Sequence, residues 1–450
     1  MILAIASASV YKFDRESLPD AEGYHLRAVE RLNEVLQGGD LRALQAILLL
    51  CQYRMVNSVQ DTPTSMWHLV GVATRMCLEL GLHREQTYQT PKDSDRQSTP
   101  SGAVVTSEIR RRCFWCVIAM DRIVSITLGR PLAIRLQDTD AALPDSELDF
   151  LVNSSDRTSV DWPPSGLCPT ALFVHIVRYR IICGDIMSAL HTGSTRTQTD
   201  TESALKARDS LGHTLAEWDQ DTGRLALLEV DGSHQSSFCT QEWYEMLYCN
   251  ALLMLYRPSP ALSGASARES TVSQGIFVAA KRAITIYSQL HRWKRINYTW
   301  ITLHAVFMAG LSYVYAVGRH FRSHKRNTDG ATGIALLESE PSIIEIVNDC
   351  RTCSNVLVAI SERWDMAKNC YDVFNRLSDA VLVDAVEYHT KASSESQLNA
   401  SHHQPAAQET QIGWQGDLNE SSLAVDSVLR DCLDDLQYFQ SSAYGDDPVG

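Results

Sequence analysis

The sequence predicts an all-α protein: a large, irregular multi-helix body followed by a disordered acidic C-terminal tail. Three observations predict it. Apolar residues recur at three- and four-residue steps through most of the chain up to about residue 390. The breaks between these stripes carry helix-boundary residues, with Asp, Pro or Ser opening a stripe and Gly or Arg-Pro closing it. Few segments alternate as strands do, and neither a hairpin signal nor a repeat of constant period is present.

The elements follow in order. Residues 21–37 read as helical and end at Gly38-Gly39. Asp40 caps the next helix, whose stripe is Leu41, Leu44, Ile47, Leu48, Cys51 and Met55. Pro63-Thr64-Ser65 opens a third, with Met66, Leu69, Ala73, Met76, Cys77 and Leu80 inward and Gly81 closing it. A polar loop, expected to be mobile, runs to Ser107. Ser107 and Glu108 then begin a helix that is apolar around most of its circumference and stops at Gly129-Arg130-Pro131. Arg110, Arg111 and Arg112 sit near its N-terminus, where the helix dipole opposes cations. They therefore need partners, and Glu108 to Arg112 at i,i+4 is one.

Residues 131–168 lack helical period and read as a connector. Pro169 fits the first turn of a helix carrying Leu172, Ile176, Tyr179, Ile182, Ile186 and Leu190. Helices are expected near 203–220, 240–256, 269–292, 299–321, 341–364 and 371–390. These readings give a body over 1–390, divisible into halves 1–150 and 165–390. Residues 391–420 form a disordered linker of low hydrophobicity. In 421–450, Leu423, Val428, Leu429, Leu433, Leu436, Tyr438 and Phe439 interleave with Asp426, Asp431, Asp434 and Asp435. That pattern fits an acidic amphipathic, activation-like segment, or a last helix docking on the body.

Composition narrows the function. A net charge of -14 makes the chain a poor grip for a phosphate backbone. No apolar run approaches the roughly 18 to 20 residues of a membrane span, so no membrane partner is expected. The apolar start is short and has no basic stretch before it, which argues against a signal peptide. The 12 cysteines sit mostly at apolar helix positions, as reduced intracellular thiols do.

Catalytic signatures for hydrolases, phosphate-binding loops, zinc proteases and dinucleotide folds are absent. Cys113/Cys116 and Cys350/Cys353 have ligand-like spacing but lie in apolar helices, which favours core packing over zinc. His175, His291 and His304 read as hydrogen-bonded core histidines, and the aromatics of 240–256 as packing. Lys281-Arg282 and Arg292, Lys294 and Arg295 read as a solvated helix face.

The order LQAILLLCQYRM, MWHLVGVATRMCLELGLHRE and EIRRRCFWCVIAMDRIVSITLGRPLAI resembles the fungal-specific transcription factor domain, the middle homology region of fungal zinc-cluster regulators. WYEMLYCNALLMLYRPSP, ITLHAVFMAGLSYVYAV and CRTCSNVLVAISERWDMAKNCYDVFNRL resemble its later part, so the likeness covers about residues 20–390. It implies an all-α regulatory domain in a nuclear transcriptional regulator, often of a metabolic or secondary-metabolite pathway. It also implies that Arg111, Arg112, Trp115, Asp121, Arg122, Gly129, Arg130 and Pro131 are structural anchors of the motif, with Arg111 and Arg112 as internal ion pairs and Arg130 pinning the loop. The tail would engage transcription machinery, and the body could form homo- or heterodimers with related regulators. Family members carry six closely spaced cysteines that hold two zinc ions and read DNA. No such spacing occurs here, so no zinc cofactor is expected. DNA contact is expected only if a missing N-terminal motif exists. The alternative is an interaction protein without a DNA reader that modulates a full-length regulator.

Overall fold

The computed structural model describes residues 1–10, 21–56, 63–88, 100–149, 168–191, 198–225, 227, 237–262, 269–327, 336–362 and 366–400. Among them thirteen α-helices form and no strand. In chain order these are α1 (Ile2–Val10), α2 (Ala21–Glu30), α3 (Leu32–Leu36), α4 (Leu41–Val56), α5 (Pro63–Glu79) and α6 (Pro100–Thr127). Then follow α7 (Pro169–Ile186), α8 (Gln198–Thr222), α9 (Gln241–Tyr256), α10 (Glu269–Arg292), α11 (Trp300–Asn327), α12 (Ile343–Ser361) and α13 (Met366–Ala400).

Local chemistry sets the boundaries. Asp40 Oδ1 accepts from the Arg42 and Ala43 amides at 3.0 and 3.1 Å, capping α4. Gly81 and Gly129 end α5 and α6 at φ +68° and +60°. In each case the following amide reaches back over the last turn, Leu82 to the Cys77 carbonyl and Arg130 to the Ser125 carbonyl. Lys294 takes the same left-handed position after α10, at φ 56°, where glycine is the unstrained choice.

Several boundaries differ from expectation. α6 starts at Pro100, not Ser107, because Pro suits a first turn and the polar residues after it do not break a helix. α13 runs to Ala400, ten residues past the expected start of the linker, since 391–400 holds no Pro or Gly to stop it. Residues 21–37 form two helices, broken at Arg31. The apolar start forms α1, with Ala4 and Ala8 buried against Tyr53. α11 is long and apolar enough to span a membrane by length and composition, contrary to the reading of its runs, but most of that stretch is buried inside the body. Residues 150–167 of the connector, most of the loop before α6, and 401–450 lie outside the described residues.

The buried apolar side chains fall into two principal clusters. One joins α4, α5 and α6 through Leu44, Met66, Phe114 and Ile118. The other fills α7 to α13 around Tyr244, Ile284, Tyr313 and Phe374. α7 serves both, Val177 facing the first and Ile182 the second. α10 lies against α9, α11 and α12, with Arg282, Arg292 and Lys294 left exposed and Lys281 partly so at its edge. Lys281 pairs with Glu345 and, at 3.5 Å, with Asp349, while Arg282 grips Glu245 at 2.5 and 2.6 Å.

Candidate functional site

The polar residues of α6 converge on one task. The connector that leaves Gly129 doubles back along the helix, and side chains of α6 hold its backbone at successive stations.

The first station is Asp121 and Arg122, both about 2% exposed. Their charges meet at 3.1 Å. Asp121 accepts from the Ala133 amide at 3.1 Å and from Ser125 Oγ at 3.3 Å, and Arg122 donates to the Ile134 carbonyl at 2.9 Å. Burial pushes the Asp121 carboxyl above its usual range, and Arg122 opposes that. Burial likewise lowers Arg122, against the pull of Asp121 and Asp185. Arg122 also abuts Gly184 on α7, where an added Cβ would meet its side chain at 3.4 Å. The pair thus lies where α6 meets α7.

The second station is Ala142. Its carbonyl accepts from Trp115 Nε1 at 2.8 Å and Arg111 Nη1 at 3.1 Å, and its amide donates to Glu85 at 2.8 Å. Arg111 also grips Glu85 through both guanidinium arms and stacks 4.3 Å above the Tyr88 ring. The hydrogen bond from Arg111 holds the Glu85 carboxyl below its usual range. Asp140 closes the loop by accepting from the Glu85 amide at 2.7 Å.

The third station lies nearest the start of α6. Glu108, 3% exposed, accepts from Arg112 Nε at 3.0 Å, the expected i,i+4 pair, and from the Asp145 amide at 3.2 Å. Arg112 Nη2 reaches Asp149 at 2.9 Å. Asp149 in turn accepts from Cys168 Sγ and from the amide and hydroxyl of Thr170, capping α7. Burial pushes Asp149 up, but these hydrogen bonds and Arg112 outweigh it, and its carboxyl lies below the usual range. Arg110 makes no ion pair among the described residues.

After the helix stop, the Arg130 guanidinium lies 4.8 Å from the Trp67 ring and ties the turn to α5. Pro131 is exposed and cannot continue the helix. All eight residues singled out in the sequence therefore line one strap. Sequence reading missed its acceptors, Glu85, Asp140 and Asp149. Glu85 carried a signal, a carboxylate directly after the Gly81 stop in LGLHRE. Asp149 carried none, since its link to α7 is purely tertiary.

This arrangement satisfies charge and backbone, and burial holds the Cys168 thiol that donates to Asp149 above its usual range. Burial drives the Cys113 thiol up to about 11 and Cys116 up to about 12, which keeps both protonated and poor as ligands. Among the described residues no three His, Cys, Asp or Glu side chains are grouped to hold a metal. His175 stacks on Trp218 at 4.5 Å and bonds Thr222 Oγ1 at 2.7 Å, and burial lowers it to about 4. His291 meets the Tyr298 hydroxyl at 3.1 Å. Burial and nearby Arg257 lower His304 to about 3. A shallow groove of about 460 Å³ between α7 and α8 is lined by Asp185, Ser188, Ala189, Ala207, Ser210 and Leu211, an open and catalytically plain surface.

Residues 1–220 match the family described as the fungal specific transcription factor domain. The chain is 25% identical to the "Positive regulator of purine utilization" of Emericella nidulans, over 80% of its own length and 38% of that protein. It is 25% identical to the "Pyrimidine pathway regulatory protein 1" of Saccharomyces cerevisiae, over 80% of its length and 36% of the relative. It is 23% identical to the "Cutinase transcription factor 1 alpha" of Fusarium vanettenii, over 83% and 37%. The chain thus spans well under half the length of these relatives. No solved structure matches it.

Proposed function

We propose that this chain is the regulatory and activation portion of a fungal zinc-cluster-type transcription factor acting in the nucleus on a metabolic pathway. The match of residues 1–220 to the fungal specific transcription factor domain carries this reading. Relatives named for purine, pyrimidine and cutinase regulation support it. In this reading the chain is not an enzyme and needs no cofactor. Arg111, Arg112, Trp115, Asp121, Arg122, Gly129, Arg130 and Pro131 are structural anchors of the body. Ion pairing inside the strap occupies the two arginines of the second and third stations, which argues against their contacting DNA. DNA is contacted only if an N-terminal reader motif accompanies this sequence, the body offers surfaces for a related regulator, and the acidic tail recruits transcription machinery.

The test fuses residues 401–450, which begin where α13 ends, to an unrelated DNA-binding domain beside a reporter. Activation is the expected result. Silence, together with co-purification of a full-length relative, would replace this reading with that of an interaction protein that modulates such a regulator.

A further inference from the structure

The outer faces of α12 and α13 carry aliphatic side chains that nothing in the described body covers. Ile344 is 74% exposed, and Val347, Val383 and Val386 are 38%, 46% and 44% exposed. They converge because the two helices run antiparallel in a defined register. Ser354 Oγ donates to Asn375 Oδ1 at 2.5 Å, and Tyr388 and His389 both reach Glu340, at 3.4 and 3.3 Å. This register sets Val347 level with Leu382 and Val383, and Ile344 level with Ala385 and Val386. Arg351 extends the α12 side of the patch, its guanidinium bonded among the described residues only to Asn348 of its own helix. Exposed Arg376 stands on α13.

We infer that this face is the docking site of the chain's own segment 425–439. Val425, Leu429, Cys432, Leu436 and Phe439 recur at alternating four- and three-residue steps, the spacing by which one helical face fills a groove between two helices. Asp426, Asp431, Asp434 and Asp435 fall off that stripe and complement Arg351 and Arg376. Asp372 and Asp379 also rim α13, so the aliphatic contact selects the site and charge assists.

The tether permits the docking. From Val386 to the end of α13 is about 21 Å of helix, and residues 401–424 can span about 80 Å when extended. A segment held on such a tether competes at an effective concentration on the order of millimolar, which favours it over a separate copy. The docking does not depend on the transcriptional reading, and failure of either leaves the other standing.

The experiment uses the full chain and its native Cys432. Val386→Cys, and separately Ile344→Cys, are treated with a short bismaleimide, with Val278→Cys on α10 as an equally exposed control. The expected result is an intrachain cross-link to Cys432 from positions 386 and 344, several-fold above that from 278. Leu429→Asp with Leu436→Asp in the same chain should abolish it. Equal yields at all three positions, a product only between chains, or indifference to the two aspartates would overturn the proposal. The two cysteine positions lie on different helices, so misfolding of one variant leaves the other to decide.

Discussion

Arg111 grips Glu85 through both arms of its guanidinium, at 2.7 and 2.8 Å, across 26 residues of sequence. The same carboxylate accepts the Ala142 amide, and the same guanidinium donates to the Ala142 carbonyl. One ion pair therefore clamps the turn after α5, the middle of α6 and a connector whose described residues form only two single 3-10 turns, Leu136–Asp138 and Ser146–Leu148. Because α6 begins at Pro100, Arg111 lies eleven residues inside it, beyond the reach of the helix dipole, and the neighbouring carboxylates and carbonyls alone hold its charge.

Replacing Arg111 and Arg112 together by Ala should lower stability by about 2–4 kcal/mol, because Glu108 loses a buried partner and Glu85 and Asp149 lose theirs. The half-exposed Glu85 contributes at the low end. Urea unfolding of the double variant measures it, and an unchanged midpoint would mean that both arginines are dispensable to the body.

Asp121 and Arg122 make a sharper case, since both are buried. Asp121→Ala or Arg122→Ala alone should cost about 3–5 kcal/mol, because each strands a charge inside the body. Removing both should cost less than the sum of the two. A double-mutant cycle by chemical denaturation reads the coupling, and strict additivity would refute the pairing.

Buried histidines predict acid sensitivity. Burial holds His175 and His320 near 4, against an ordinary value of 6.5. The unfolded chain then binds more protons between these values, so the stability they contribute is complete above pH 6.5 and is lost as pH falls toward 4. Each contributes a slope of up to about 1.4 kcal/mol per pH unit within that window. Asp121 and Asp349, raised by burial, act with the opposite sign as they protonate. Glu85, depressed by Arg111, contributes stability that is present above pH 4.5 and is lost as pH falls through its lower folded value. Thermal melts from pH 7.5 to 5 should show the midpoint falling, and His175→Gln should flatten that fall.

Gly310→Ala tests the packing of α11. A Cβ there would lie 2.7 Å from Phe374 and 2.8 Å from Cys353 Sγ, so the helices must part. A loss of about 1–3 kcal/mol is expected. A variant as stable as the parent would show that the α11–α12–α13 contact is loose.

Most of the helical plan was legible because its punctuation is local. Asp40, Pro63, Gly81, Gly129 and Pro169 act within one turn of themselves, and the apolar stripes need only their own spacing. The starts of α6 and the end of α13 were not legible, because polar residues without Pro or Gly can join a helix or leave it. The strap was half legible. Its guanidinium donors lie in one block of sequence, and their need for partners follows from burial. The acceptors Glu85 and Asp149 lie 26 and 37 residues from Arg111 and Arg112, where only the fold brings them near. The partners of Lys281 and Arg282 were hidden for the same reason: their carboxylates stand on α12 and α9.

The central claim is that α6 holds the connector by its side chains, and native-state hydrogen exchange tests it most directly. The amides of Ala133, Ala142 and Asp145 belong to no helix but donate to Asp121, Glu85 and Glu108. They should exchange slowly, and Glu85→Ala should release Ala142 first while Ala133 stays protected. Exchange at all three as fast as in an unstructured peptide would contradict the strap.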